Sequence, residues 1–462
     1  MAELNDTICA VATRPGGALG IVRVSGPDAI RLTDSIFKPA SGHPLASASP
    51  YSLCYGQIID NDGSTIDDVL ISVFRAPHSF TGQDSTEISC HGSAYILQKV
   101  SQLLIDKGCR QAEPGEYTQR AFLGGKMDLS QAEAVADLIA STSAASHRLA
   151  MNQLKGHFSS ELSILREQLL QLTSLLELEL DFADHEELEF ADRTELLSLA
   201  RRADERITGL ACSFKTGQAL KEGIPVAIVG KTNVGKSTLL NHLLRDDRAI
   251  VSDIHGTTRD TIEDTIQIKG VTFRFIDTAG IRQTSDAIEQ IGISRTFAAI
   301  DKALIVIWMA DALPTADDIG VITPHLEGKK LILAFNKCDM QTYSTFDASS
   351  LHLPQDSFRT IEISAKFNNN IPELENLIYT MAEIPEINAD TVIVTQARHY
   401  EALTRAHENL TRVTEGLTSA LPGDLIAEDL RLVLQDLADI TGGAITPDET
   451  LQNIFSHFCI GK

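Results

Sequence analysis

The segment GKTNVGKS, residues 230–237, has the residue types and spacing of a phosphate-binding loop. It follows the apolar run VAIV and precedes STLLNHLL, which has helical spacing. The glycines of such a loop let backbone N–H groups surround phosphate oxygens, and the helix N-terminus adds positive potential. We expect Lys236 to reach the β- and γ-phosphates and Ser237 to bind Mg²⁺. This loop alone leaves both ATP and GTP open as substrates.

Two later motifs predict that the base is guanine. In NKCD, residues 336–339, the Asp339 carboxylate can accept hydrogen bonds from both N1–H and the 2-amino group of guanine. Adenine lacks that pair of donors. The segment SAK, residues 364–366, is expected to add a backbone contact to the guanine oxygen. Together with the phosphate loop, these motifs predict a GTPase.

Between these motifs lie the residues expected to sense the γ-phosphate. GTTRD offers Thr258 as a second Mg²⁺ ligand, Asp277 of DTAG is an acid near the ion, and Gly280 can donate its N–H to the γ-phosphate. The residues predicted to contact the nucleotide are Asn233, Val234, Gly235, Lys236, Ser237, Thr238, Ser252, Asp253, Ile254, His255, Gly256, Thr257, Thr258, Asp277, Thr278, Ala279, Gly280, Asn336, Lys337, Asp339, Ser364, Ala365 and Lys366.

One position departs from the Ras-type pattern. A glutamine there orients the attacking water, but Ile281 follows DTAG here. Isoleucine can neither accept a proton nor hold a water molecule. Either the nucleotide is not hydrolysed or another group does this work. Asp286 and Glu289 both follow closely, and spacing alone does not choose between them.

Composition limits the class of protein. The 462 residues carry a formal charge of −24, which argues against non-specific coating of nucleic acid but not against a local basic patch. The seven cysteines are scattered, as in proteins of a reducing cytosol. The N-terminus lacks the pattern of a signal peptide, and the longest apolar run, ALIVIWMA, is too short to cross a bilayer. We therefore expect a cytoplasmic protein without a membrane anchor.

Three kinds of sequence pattern along the chain predict its domains. Short β-type runs with Gly, Pro and Ser turns indicate an α+β domain over residues 1–122, and leucines spaced three and four apart indicate a first helical segment over residues 123–220. Apolar strands alternate with helices over residues 221–383, which is typical of a parallel sheet flanked by helices. Helical texture returns over residues 384–462. The predicted fold class is therefore multidomain α/β and α+β, with a P-loop G domain inserted into a discontinuous helical domain.

Several stretches resemble the tRNA wobble-uridine modification GTPase family, MnmE, also called TrmE. They include DTICAVATRPGGALGIVRVSGP, EPGEYTQRAFLGGKMDLSQAEAVADLI and the ending FSHFCIGK, together with the nucleotide motifs. SFTGQD departs from the more usual SFTGED because Gln83 replaces an acid. The resemblance implies an N-terminal domain that binds a 5-formyltetrahydrofolate-type cofactor and forms a homodimer.

The resemblance also implies partners and a reaction. With the FAD-containing protein MnmG, in a heterotetramer or larger complex, the family adds an aminomethyl-type group (cmnm5) to C5 of uridine 34 in certain tRNAs, using a tetrahydrofolate one-carbon donor. The family's folate contacts fall on Arg23, Glu87, Lys126 and Lys462. Arginine and lysine suit the anionic tail of folate, and a glutamate can accept from the pterin edge.

The family pattern also offers an answer to the missing glutamine. It places the water-orienting role on Glu289 and implies a K⁺ ion in place of an arginine finger. Oxygens of Asn233, Ser252, Ile254 and Thr257 can hold such an ion, as carbonyl rings do in potassium channels. Arg259, Arg282 and Arg295 are the alternative finger candidates.

Two other functions stay open on the sequence. A GTP-gated ribosome-assembly factor would share the nucleotide motifs, although the N-terminal domain and the FCIGK ending argue against it. A non-enzymatic GTP switch that only arranges its partner's active site is the second.

The terminal CIGK is not a prenylation signal because Gly461 and Lys462 are the wrong residue types.

Overall fold

The structure is a computed structural model, and it describes residues 5–181, 193–245, 264–276, 289–340, 355–419, 421–443, 448–456 and 458–461. The chain divides into two compact units. The first comprises Met1–Ile139, Gln153–Ile207 and Glu401–Lys462, and the second comprises Ala140–Asn152 and Thr208–Tyr400.

The first unit contains a seven-stranded, mostly antiparallel sheet. The strands are β1 Ile8–Val11, β2 Leu19–Ser25, β3 Phe37–Pro39, β4 Ser52–Ile59, β5 Thr65–Phe74, β6 Ser85–His91 and β7 Arg110–Gln111. Their order in the sheet is β3-β4-β5-β6-β2-β1-β7, with β7 parallel to β1. Side chains alternate between the two faces of a strand, so Val22 and Val24 of β2 enter the core while Arg23 stays on the other face.

Helices make up most of the rest of the described chain. They are α1 Ala29–Asp34, α2 Ala94–Asp106, α3 Glu116–Leu123, α4 Leu129–Ala140, α5 Ala144–Leu154, α6 His157–Asp181, α7 Arg193–Cys212, α8 Phe214–Glu222, α9 Lys236–Arg245, α10 Glu289–Lys302, α11 Ala316–Ile322, α12 Ile371–Met381, α13 Ala397–Thr418, α14 Gly423–Thr441 and α15 Asp448–Ser456.

The leucine stripe predicted for the long helix α6 is buried. Leu162, Leu165, Leu169, Leu172 and Leu176 are all at most 3% exposed, and α6 packs along α14. Residues spaced three and four apart lie on one face of a helix, so this stripe alone supplies the contact surface. The acidic run that follows, residues 184–192, lies outside the described residues.

The second unit is built on a six-stranded sheet. The strands are β8 Ile224–Val229, β9 Asp264–Ile268, β10 Val271–Phe275, β11 Ile305–Ala310, β12 Lys330–Phe335 and β13 Phe358–Glu362. Their order in the sheet is β13-β12-β11-β8-β10-β9. Five of them are parallel, with apolar residues covering both faces, as expected for apolar strands that alternate with helices. The sixth, β9, pairs antiparallel with β10 at the edge.

The predicted fold class is confirmed, with an α+β domain, a helical domain and a parallel-sheet G domain. Within the described part of the chain, no helix combines the length and apolar character that a membrane span requires.

Candidate functional sites

The phosphate loop joins the end of β8 to the start of α9, at the carboxyl edge of the parallel sheet. Parallel α/β sheets bind ligands at this edge. Gly235 has φ 102°, and a Cβ there would lie 2.3 Å from Asn336 Nδ2. Gly230 has φ 146°, and a Cβ there would lie 2.3 Å from the Met309 carbonyl oxygen. Both positions therefore require glycine for backbone conformation and for space.

The loop holds the ammonium group of Lys236 in place. Lys236 Nζ donates to the carbonyl oxygens of Gly230 and Lys231, each at 2.7 Å. Burial lowers the pKa of Lys236, because a low-dielectric surrounding disfavours the charged form. A phosphate group at this position would favour that charge, so the loop is suited to an anionic ligand.

Asn336 connects the phosphate loop to the two base-recognition motifs. This residue is 4% exposed, its Nδ2 donates to the Val234 carbonyl at 2.6 Å, and its Oδ1 accepts from the Ala365 N–H at 2.9 Å. Asp339 is exposed, and its Oδ1 accepts from Ser364 Oγ at 2.6 Å. Segments 230–238, 336–339 and 364–366, which are far apart in sequence, therefore meet at one edge of the sheet.

Two residues of this region have a left-handed backbone conformation. Asn233 has φ 61° and Lys337 has φ 70°. Asparagine adopts this conformation more readily than most residues, so the backbone alone favours it at position 233. Asn233 is also exposed, which keeps its side-chain oxygen accessible for the cation role predicted from the sequence.

Two acidic residues at the same edge were missed by the motifs. Asp318 accepts from Lys231 Nζ at 2.9 Å, and Asp311 accepts from Lys337 Nζ at 2.6 Å. A signal for each was present in the sequence. Asp311 directly follows the apolar strand β11, and Thr315 with Asp318 has the spacing of a helix capping box.

In the first unit, the structure brings the C-terminal tail to Arg23. Arg23 on β2 lies opposite Glu87 on β6, and Arg23 Nη2 is 2.7 Å from Glu87 Oε1. Arg23 Nη1 also donates to the Gly461 carbonyl at 3.2 Å, and the guanidinium lies 5.6 Å from the Tyr117 ring centre. The pair is about one-quarter exposed. Lys126 has a different partner, since its Nζ donates to the Pro77 carbonyl at 2.9 Å.

The tail is held by backbone contacts as well. Ile460 forms a bridge with Pro114, and the Gly115 N–H donates to the Cys459 carbonyl at 3.4 Å. Gly461 has φ 92°, and a Cβ there would lie 2.7 Å from the Val11 carbonyl oxygen. The ending of the chain is thus fitted closely to the N-terminal sheet.

A buried ion-pair network beside this region accounts for Gln83. Arg120 and Glu116 are each 3% exposed and 2.8 Å apart, and Arg120 also contacts Asp6. Burial alone would raise the pKa of Glu116, but hydrogen bonds from Arg110, the Glu113 N–H and Arg120 hold it below its usual value. Gln83 Oε1 accepts from Arg120 Nη1 at 3.2 Å. A neutral amide suffices there because Asp6 and Glu116 already balance the charges of Arg110 and Arg120.

Several predicted residues lie outside the described parts of the chain. They are Ser252, Asp253, Ile254, His255, Gly256, Thr257, Thr258, Arg259, Asp277, Thr278, Ala279, Gly280, Ile281, Arg282, Asp286 and Lys462. Glu289 begins helix α10 and Arg295 lies within it, but their side chains are not described.

A phosphate loop joined by Asn336 to NKCD and SAK, on a parallel sheet, defines a P-loop GTPase. Its sheet and helices are accompanied by a separate α+β domain. Two family profiles match the chain: "GTP-binding protein TrmE N-terminus" covers residues 7–126, and "MnmE helical domain" covers residues 129–459, a range that includes the G domain. The chain belongs to the tRNA modification GTPase MnmE family.

Relatives that match over nearly their full length support this membership. The chain is similar to a tRNA modification GTPase MnmE of Parabacteroides distasonis, at 57% identity over 99% of this chain and 100% of the relative. It is 56% identical to that of Phocaeicola vulgatus over 99% of each chain. Among solved structures, the G domain of the T. maritima FeoB iron transporter is 26% identical, and the match covers 34% of this chain and 98% of that one, with a TM-score of 0.25.

Proposed function

We propose that this GTPase works with an FAD-containing MnmG partner to add an aminomethyl-type group (cmnm5) to C5 of tRNA uridine 34. The one-carbon unit would come from a tetrahydrofolate cofactor held by the N-terminal domain. The observation that carries this proposal is the convergence of Arg23, Glu87 and the end of the chain at one side of the N-terminal sheet. Membership of a tRNA-modifying family makes a ribosome-assembly role the weaker alternative.

The donor set at this place suits a folate. The pterin ring of a folate presents an amino-pyrimidinone edge, whose N–H groups can donate hydrogen bonds to a carboxylate such as Glu87. The glutamate tail of the folate is anionic. The guanidinium of Arg23 is oriented by Glu87, and Lys462 follows Gly461, whose carbonyl contacts Arg23. Lys126 would complete the set from the segment after α3. Because Arg23 and Glu87 are 2.7 Å apart, both would face the same part of the ligand, and the lysines would pair with the carboxylates of its tail.

In the G domain, Ser237 and Thr258 would hold Mg²⁺, which neutralises charge on the β- and γ-phosphates when bound. Lys236 would add a fixed positive charge from the protein itself. Asn233, Ser252, Ile254 and Thr257 would hold K⁺. Glu289, at the start of α10, would orient the attacking water in place of the glutamine that Ile281 replaces.

Replacement of Lys462 at the end of the chain should reduce tRNA modification without reducing GTP hydrolysis. We expect Lys462→Ala to lower folate affinity and reduce cmnm5 in tRNA, because one cation for the ligand tail is removed, while GTP hydrolysis stays within about twofold. Lys107→Ala is a matched control, since Lys107 is an exposed lysine at the end of α2 in the same domain. The measurements are folate binding to the purified chain and mass analysis of wobble nucleosides from cells that carry only the variant. Equal folate affinity for both variants would remove Lys462 from the site.

Nucleotide-dependent assembly is the second expectation. We propose a constitutive homodimer through the N-terminal domain, with a second contact between G domains that forms near the transition state. X-ray scattering of the full chain in K⁺ buffer should therefore show a smaller radius of gyration with GDP and aluminium fluoride than with GDP alone. Identical profiles would count against pairing of the G domains, and a monomer mass with either ligand would count against the dimer.

A further inference from the structure

Two lysines of the nucleotide motifs are each bound by an acidic residue from the segment that follows β11. Lys231 is the second residue of the phosphate loop, and Lys337 is the lysine of NKCD. Their partners, Asp318 and Asp311, lie within eight positions of each other. The segment from the end of β11 to the first turn of α11 thus contacts both the phosphate side and the base side of the site.

The first pair fixes the base side. Lys337 stands at φ 70°, directly after the buried Asn336, and its Nζ reaches Asp311 Oδ2 at 2.6 Å. The hydrogen bond from Lys337 is the main reason that the pKa of Asp311 lies below its usual value, and the charge of Lys231 contributes to the same shift. Asp311 therefore stays ionised at neutral pH and restrains the direction of a long, otherwise mobile side chain.

The second pair fixes the phosphate side. Asp318 Oδ2 accepts from Lys231 Nζ at 2.9 Å and also from the N–H and hydroxyl of Thr315, at 3.1 and 2.9 Å. Burial alone would raise the pKa of Asp318, but these hydrogen bonds lower it overall. Lys231 is one of the two residues whose carbonyls accept from Lys236 Nζ, each at 2.7 Å. Asp318 therefore restrains the loop residue that orients the phosphate-binding lysine.

We propose that Asp311 and Asp318 are positioning residues of the nucleotide site, which hold Lys337 for the base and Lys231 for the phosphate loop. This inference rests on the proposed nucleotide site. The carboxylates act through the lysines and do not touch the ligand themselves. Without them, the lysines sample more orientations, and binding must restrict them at the cost of affinity.

The test measures binding of fluorescent GDP and IDP to the full chain carrying Asp311→Asn, Asp318→Asn or Asp317→Asn. Asp317 is the matched control because it is an exposed acid in the first turn of the same helix, one residue from Asp318. Partly exposed ion pairs contribute up to about 1 kcal/mol, so we expect each of the first two variants to raise Kd roughly two- to fivefold. Removing a negative charge near phosphates would by itself lower Kd, and Asp317→Asn should show only that effect.

Two further results separate positioning from other causes. For Asp311→Asn, Kd for GDP and for IDP should rise by the same factor, because IDP lacks only the 2-amino group, which is assigned to Asp339 and not to Lys337; a disturbance of Asp339 would change the two Kd values unequally. In a Lys231→Met background, Asp318→Asn should change Kd by less than about 1.5-fold, because its lysine partner is gone. Melting temperatures of all variants check that the fold is kept.

The inference is overturned if Asp311→Asn and Asp318→Asn bind GDP like Asp317→Asn, or if Asp318→Asn has its full effect without Lys231. If the proposed nucleotide site is itself wrong, the result is different, because Asp339→Asn would then leave GDP affinity unchanged. If Asp339→Asn weakens GDP while the two positioning variants do not, the site stands and only the positioning roles are lost.

Discussion

Replacement of Asp339 by asparagine is expected to weaken GTP binding roughly 10- to 100-fold, the equivalent of losing hydrogen bonds to a charged acceptor. The carboxylate offers two acceptors to the N1–H and 2-amino donors of guanine, whereas asparagine places a donor there. Xanthine carries an oxygen in place of the 2-amino group, so the variant should gain affinity for xanthosine triphosphate. Competition binding with the two nucleotides measures the exchange.

The hydrogen bond from Ser364 indicates how an asparagine at position 339 would be oriented. Ser364 Oγ donates to Asp339 Oδ1 at 2.6 Å, and the amide oxygen of an asparagine could accept the same bond. Its NH₂ group would then be left for the base. Glu327→Gln is a matched control, because Glu327 is an exposed acid in the same unit, before β12. A variant that binds GTP as tightly as this control would contradict the guanine assignment, and loss of the xanthine gain on adding Ser364→Ala would support the role of Ser364.

The parts of the G domain that follow local rules could be predicted from the sequence. Glycine spacing indicated the phosphate loop, and buried apolar runs indicated five of the six strands of the sheet. Strand β9 is not predicted by its sequence, because DTIQI is short and only two of its residues, Ile266 and Ile268, are buried. An edge strand needs one apolar face only, so its pattern is weak over five residues.

Contacts between distant segments could not be predicted from spacing. Gly461 lies 438 positions from Arg23, and no local pattern links the two. Only the family resemblance suggested that the end of the chain and β2 share a site. In the same way, the partners of Lys231 and Lys337 depend on where the segment after β11 turns, and many acids in the chain were equally available to the sequence argument.

GTP hydrolysis by this chain is expected to be much faster in KCl than in NaCl. Since Ile281 replaces the usual glutamine, catalysis must depend on groups outside the Ras-type pattern. An arginine finger contributes about 10³–10⁵ in rate in related enzymes, so a K⁺ ion in that role should leave a large difference between the two salts. Oxygens spaced for K⁺ hold Na⁺ poorly. Asn233 supports this expectation because it is exposed on the phosphate loop.

Two variants distinguish the cation from the water. Asn233→Ala should lose most of the K⁺ stimulation but keep nucleotide affinity within about threefold, since Lys236 and its two carbonyl partners remain. Alanine adopts the left-handed backbone conformation of position 233 less readily than asparagine does. Asn233→Asp is therefore the matched control, because aspartate tolerates that conformation and keeps a side-chain oxygen. Glu289→Ala should slow hydrolysis even at saturating K⁺, because it affects the water. Single-turnover hydrolysis in matched salts measures all four proteins. Equal rates of the unmodified chain in both salts would defeat the cation role and return Arg259, Arg282 and Arg295 as finger candidates, to be tested by the same assay.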